Sequence, residues 1–134
     1  MNKQERLLVA NEFIKVIASC GRNFLSSNSD MQNKEPKPFV SYLELSESGR
    51  VFFIDYYTKK RIYTHTYYRR WNGFTGGGTL KMIIECLRDF VTKGKTMRKE
   101  YFQTDMDNGF KNPWGYGEDI LIVKEAAIRL GVAV

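Results

Sequence analysis

The sequence predicts an α+β fold: a three-stranded antiparallel meander packed on one face by an N-terminal helix and a following helix, with an additional C-terminal helix. Three observations lead there. Apolar residues recur three and four apart at the start of the chain, the period drops to two between Phe39 and Tyr68, and it returns to a helical spacing after Thr79. With 134 residues, 43% hydrophobic and 27% charged, the chain can bury one ordinary core, so a single globular domain over residues 1–134 is expected.

In the first segment, NKQERLLVANEFIKVIASC, the residues Leu7, Ala10, Ile14 and Ile17, with Phe13 and Val16 beside them, form the apolar stripe of an amphipathic helix, and Gly21 is a plausible stop. The string around Cys20, VIASCG, has the look of a lipoprotein cleavage site. Asn11, Glu12 and Lys15 interrupt the apolar run that such a signal requires. No run is long enough for a transmembrane helix, and the two cysteines, Cys20 and Cys86, each fall on the apolar side of a predicted helix. A cytoplasmic protein with reduced thiols and no membrane association is expected.

Residues 25–38 are polar and contain two prolines, the composition of an exposed loop. The runs FVSYLEL and RVFFIDYY follow, separated by SESG, and they predict a hairpin in which Gly49 supplies the positive φ of the turn. A third run, RIYTHTYY, continues the same chemistry and predicts the third strand of the meander. After the glycine-rich WNGFTGGGT, the residues Leu80, Ile83, Ile84, Leu87, Phe90 and Val91 define a second helix capped by Thr79 and ended by Gly94, with Lys81, Glu85, Arg88 and Asp89 on its wet face. A short strand is expected near KEYFQ. The last helix is expected to start near Glu118 and Asp119 and to stop at Gly131.

The formal net charge is +6, and its placement matters more than its size. Residues 56–99 hold eleven Lys/Arg against two Asp/Glu, whereas residues 1–55 hold seven of each and residues 100–134 hold three against six. All of the surplus therefore lies in the third strand and the second helix, a pattern that favours anionic partners. Side chains alternate along a strand, so Arg61, Tyr63, His65, Tyr67 and Arg69 are expected on one face, and Ile62, Thr64, Thr66 and Tyr68 on the face that meets a helix. Rings set beside arginine on an open sheet face can stack bases and neutralise phosphates. The expected nucleic-acid-binding residues are Lys59, Lys60, Arg61, Tyr63, His65, Tyr67, Arg69 and Arg70, together with Lys93, Lys95, Arg98 and Lys99 after the helix. The competing reading is that Tyr and Thr serve strand propensity, that the cations guard a sheet edge, and that Lys93 and Lys95 only complement the helix dipole.

The order helix, three strands, helix is also that of double-stranded-RNA-binding domains, but no stretch matches their basic helix-start motif, so the likeness is one of order alone. Gly77, Gly78 and Thr79, just before a helix N-terminus, form a candidate anion-binding loop. Its spacing is neither G-x-G-x-x-G nor the phosphate-loop pattern, which argues against nucleotide hydrolysis. One histidine and two distant cysteines cannot make a structural zinc site, and DMDNG lacks the later ligands of a calcium loop. Asp55, Glu44 and Glu47 would hold magnesium only if the hairpin gathered them. No catalytic residue, metal or cofactor is expected. The sequence thus predicts a small basic, non-catalytic nucleic-acid-binding domain, DNA or RNA. The alternative is an accessory or inhibitor protein, encoded by a phage or other mobile element, that binds an acidic or nucleic-acid-binding host protein.

Overall fold

Asn2 opens the first helix as its N-cap, its side-chain oxygen accepting from the Glu5 backbone N–H at 2.9 Å. The computed structural model describes residues 1–20, 40–55, 59–66, 79–102 and 120–134, and within them the elements run α1 (Lys3–Ser19), β1 (Tyr42–Leu45), β2 (Val51–Ile54), β3 (Arg61–Tyr63), α2 (Thr79–Lys93), a 3-10 turn (Lys99–Phe102) and α3 (Ile120–Leu130). The expected loop over 25–38 and the glycines at 76–78 lie outside the described residues.

The sheet is an antiparallel meander in the order β1-β2-β3, as the alternating runs predict. The β1–β2 turn closes with the Gly49 N–H donating to the Ser46 carbonyl at 2.9 Å, and Gly49 has φ of 84°, a conformation that glycine adopts without steric cost. Helices α1 and α2 pack against the sheet through β1 and β2, and α1 also packs against α2 and α3. Phe13, Ile14 and Ile17 of α1 thus sit at the centre of the core, between Leu43, Val51, Phe53 and Ile62 of the sheet and Ile83, Ile84, Leu87 and Val91 of α2. Each of these side chains is worth about 1.5–3 kcal/mol when fully buried, so this layer supplies most of the stabilisation. The apolar stripes predicted for the first two helices are the buried faces wherever their side chains are described.

Both later helices end on glycine, as expected. Gly94 has φ of 70° and donates to the Phe90 carbonyl at 2.9 Å, the αL form of helix stop. Gly131, with φ of 82°, donates to the Ile128 carbonyl at 3.1 Å while Val132 donates to Ala127 at 2.9 Å, a Schellman pair. The chain then forms a parallel bridge between Ala133 and Met97, with Met97 N–H donating to the Val132 carbonyl at 2.8 Å and Val134 N–H to the Met97 carbonyl at 3.1 Å. This clasp ties the segment after α2 to the segment after α3.

Three expectations are corrected. Where a strand is expected near KEYFQ, Lys99–Phe102 forms a 3-10 turn, and its tight winding, with Tyr101 N–H donating to the Arg98 carbonyl at 3.1 Å, delivers Phe102 into the core edge-on to Phe13 at 6.2 Å. The extended pairing falls earlier, at Met97. Arg88, expected on the wet face of α2, is buried, and β3 ends at Tyr63 instead of continuing to Tyr68; the two departures have one cause, described below. The N-terminal approach to α3, Glu118 and Asp119, lies outside the described residues.

The free edge of β1 is closed by a side chain. Asn11 of α1 donates through Nδ2 to the Leu43 carbonyl at 3.0 Å and accepts from the Leu43 N–H at 2.8 Å through Oδ1. One amide thereby satisfies both outward backbone groups of Leu43, as a neighbouring strand would.

Candidate nucleic-acid interface

Register decides which side chains share the face turned away from the helices. Tyr42 stands opposite Ile54, Glu44 opposite Phe52, Phe52 opposite Tyr63, and Ile54 opposite Arg61. The alternate set, Leu43, Val51, Phe53 and Ile62, is buried against the helices. The outer face therefore presents Tyr42, Glu44, Phe52, Ile54, Arg61 and Tyr63, and Tyr42 is 44% exposed.

On this face two neighbouring rings are flanked by an arginine at each end. The Arg61 guanidinium lies 3.6 Å from the centroid of the Phe52 ring, Phe52 and Tyr63 are 5.3 Å apart, and the Arg50 guanidinium stands 5.5 Å from the Tyr63 centroid. Each cation is within the range at which it is attracted to a ring face. The His65 ring meets Tyr63 edge-on at 5.3 Å and extends the row. Glu44 is the one acid in it: its carboxylate accepts from Arg61 Nε at 3.1 Å and pairs with the other arm of the guanidinium at 3.0 Å. Both side chains are nearly half exposed, so the pair adds at most about 1 kcal/mol to stability but cancels one positive charge on the face.

The turn after β3 is built from the inside. Arg88 donates from a terminal nitrogen to the Thr64 carbonyl at 2.9 Å, while its Nε and other terminal nitrogen hold Asp89 Oδ1 at 3.1 and 3.0 Å. The Thr64 hydroxyl and N–H both donate to the Val51 carbonyl, at 2.8 and 3.1 Å, and Thr66 N–H turns back to the Tyr63 carbonyl at 2.9 Å. With Thr64 anchored on β2 and α2 and the Tyr63 carbonyl taken by Thr66, the ladder stops and the chain turns, leaving His65 exposed beside Tyr63. Partial burial first, and the Arg88 guanidinium second, hold the imidazole below its ordinary pKa; Lys93 pushes the same way and Asp89 and Glu85 oppose them.

Of the expected contact residues, the structure places Arg61, Tyr63 and His65 together on the outer row and Lys59 and Lys60, both exposed, in the β2–β3 turn next to it. Lys59 has φ of 61°. Tyr67, Arg69, Arg70, Gly77, Gly78 and the side chains of Thr79 and Lys99 lie outside the described residues. Lys93, Lys95 and Arg98 are exposed around the end of α2 and make no ion pair or hydrogen bond with another side chain among the described residues. The hydrogen bond at the helix end comes from Arg6, whose Nε donates to the Val91 carbonyl at 2.9 Å, while Lys93, in the last turn of α2, stands where it complements the helix dipole.

The grouping of carboxylates weighed for magnesium does not form. Glu44 is on the outer face, whereas Asp55 is buried at 5% exposure on the opposite side, where Ser41 Oγ donates to it at 3.3 Å. Among the described residues no three His, Cys, Asp or Glu side chains are placed to hold a metal ion. None of the described helices is long and apolar enough to cross a membrane. Sequence reasoning passed over Arg50 and Phe52 and weighed Glu44 only as a magnesium ligand, because all three lie in the first hairpin rather than in the basic run; counting opposite partners across the predicted turn would have placed Glu44 and Phe52 on the Tyr63 face.

Fold and surface together define a small α+β domain with helices on one side of a meander and a row of rings and arginines on the other. The family model for YoqU matches residues 1–132, and the chain belongs to that family. It is 25% identical over 130 residues to the SPbeta prophage-derived uncharacterized protein YoqU of Bacillus subtilis (strain 168), an alignment covering 95% of this chain and 82% of the relative. No solved structure matches the chain.

Proposed function

We propose that this protein is a phage accessory protein that binds nucleic acid without catalysis, laying the strand across the outer face of the meander. The observation that carries the reading is the outer-face row Arg61, Phe52, Tyr63, Arg50, in which a pair of rings is flanked by two guanidinium groups. Such a surface meets bases by stacking and phosphates by charge, with no requirement for sequence. Lys59 and Lys60, between β2 and β3, and Lys93, whose charge is felt at His65, add positive potential for a backbone. The prophage origin of the relative supports an accessory role for this chain in the same setting.

Fluorescence anisotropy with labelled DNA and RNA at several salt concentrations tests it. Affinity should fall steeply with salt, and Arg50→Ala should reduce the log–log slope by about 0.7–0.9. A salt-independent response, or a partner protein that stays bound after nuclease treatment while oligonucleotides do not bind, would replace this reading with that of a protein-binding accessory.

A further inference from the structure

A cleft of about 400 Å³ opens between α2 and the segment that follows it, lined by none of the residues of the ring and arginine row. Its walls differ in chemistry in an ordered way. Met97, only 4% exposed, and the half-buried Cys86 supply apolar surface, and Tyr101 contributes an aromatic side. Lys95 and Arg98 stand at the opening, both exposed and neither engaged by another side chain among the described residues. Asp89 and Thr96 complete the described lining.

The acid does not cancel those two cations. Both Arg88 contacts, at 3.1 and 3.0 Å, fall on Asp89 Oδ1, so its charge is already answered from the protein side while Oδ2 keeps its capacity to accept a hydrogen bond. The Cys86 thiol is pushed up from its ordinary pKa, by burial first and by Asp89 and Glu85 next, so it is neutral at physiological pH and acts as apolar lining. A cleft of this volume is within the range of small-molecule sites and far larger than an inorganic phosphate needs. Its contents must satisfy an apolar and aromatic wall, two cations and one acceptor together. A purely apolar ligand would strand the cations, and a bare anion would leave the aromatic wall and the acceptor unused.

We infer that this cleft binds a phosphorylated nucleoside: the base against Tyr101 and Met97, the phosphate received by Lys95 and Arg98, and a sugar hydroxyl or exocyclic amine donating to Asp89. The class goes beyond the polyanion surface of the sheet and does not depend on it. The same chemistry is offered by a free nucleotide and by the phosphorylated end of a strand, and the test separates the two sources.

The probes are nucleoside 5′-monophosphates and short oligonucleotides with and without a 5′-phosphate, titrated into the full chain by isothermal calorimetry. Saturable binding is expected, weakened about tenfold by Arg98→Ala and by Lys95→Ala, exposed positions whose loss leaves the core intact. Arg50→Ala and Tyr63→Leu should weaken oligonucleotide binding at the sheet while monophosphate binding, and the gain in oligonucleotide affinity from a 5′-phosphate, persist, which distinguishes this site from the sheet surface. Saturating nucleotide should also slow alkylation of Cys86 while Cys20, on α1, reacts as before. Binding of the monophosphates assigns a free nucleotide; no monophosphate binding, with a gain in oligonucleotide affinity that depends on the 5′-phosphate, assigns a strand end. The inference is overturned if neither probe saturates at millimolar concentration, if inorganic phosphate binds as tightly, if both variants bind like the parent, or if Cys86 alkylation is indifferent to the ligand.

Discussion

Arg88, in the third turn of α2, reaches across the core to the carbonyl of Thr64 at 2.9 Å, and that contact marks where the third strand stops. A buried guanidinium holding a backbone carbonyl from one arm and a carboxylate from the others is satisfied at several points at once. Arg88→Met should destabilise the fold by about 1–3 kcal/mol, because it leaves the buried Thr64 carbonyl without its donor. Arg88→Lys should recover little of this, since an ammonium cannot reach both partners in the same plane. Urea denaturation of the variants, compared at equal m-values, measures the loss.

Glu44 occupies the arginine that the proposed surface most needs. Replacing it with glutamine removes one negative charge from the outer face and releases Arg61 from its pair, at 3.0 Å, without touching the core. Glu44→Gln should therefore tighten binding to single-stranded oligonucleotide and steepen its salt dependence, while changing stability by less than about 1 kcal/mol. Arg61→Ala should act in the opposite direction on binding. Anisotropy titrations across salt, with thermal melts as control, check both.

The end of α2 depends on two residues far apart in sequence. Gly94 adopts φ of 70°, where any L side chain is strained, and a Cβ there would come to within 3.8 Å of the Arg6 guanidinium, an ordinary contact. Gly94→Ala should thus cost about 1 kcal/mol from backbone strain rather than from a clash. Arg6→Ala should cost about 1–2 kcal/mol by removing the donor to the Val91 carbonyl. Calorimetric melts of the single and double variants should show additivity for strain and cap if the two act separately.

The proposed binding should be sensitive to pH through His65. The fold favours the neutral imidazole, so the folded chain holds fewer protons than the unfolded one as pH drops below about 6.5; the stability this group contributes is complete above that value and is lost as pH falls through the lower, folded value. A polyanion on the outer face favours the imidazolium instead. Affinity for oligonucleotide should therefore rise between about pH 7 and pH 5 with uptake of up to one proton, and His65→Gln should flatten that rise. An NMR titration of the free and bound imidazole reads the shift directly.

Most of the architecture is legible because period and punctuation agree. The three- and four-residue spacing of Ala10, Phe13, Ile14 and Ile17, the alternation from Tyr42 through Ile54, and the glycines at 49, 94 and 131 each have a local physical meaning that tertiary packing keeps. The third strand was over-extended because Thr64, His65 and Thr66 have the propensity of a strand but are held in a turn by Arg88, a residue distant in sequence whose charge reads as solvated. KEYFQ misled for a related reason: its aromatics suggest a strand, while the need to seat Phe102 on Phe13 winds it into a 3-10 turn. The basic run pointed to Arg61, Tyr63 and His65 on one surface. Arg50, Phe52 and Glu44 join them only through pairing register, which becomes visible once the hairpin turn is placed.

Asn11 gives the meander a sealed hem. A foreign chain seeking to add itself alongside Leu43 would find that residue's backbone already answered and would have to displace two hydrogen bonds, at 3.0 and 2.8 Å, before gaining any of its own. At that position, a single carboxamide borrowed from a helix stands in for the neighbouring strand that a fibril would supply.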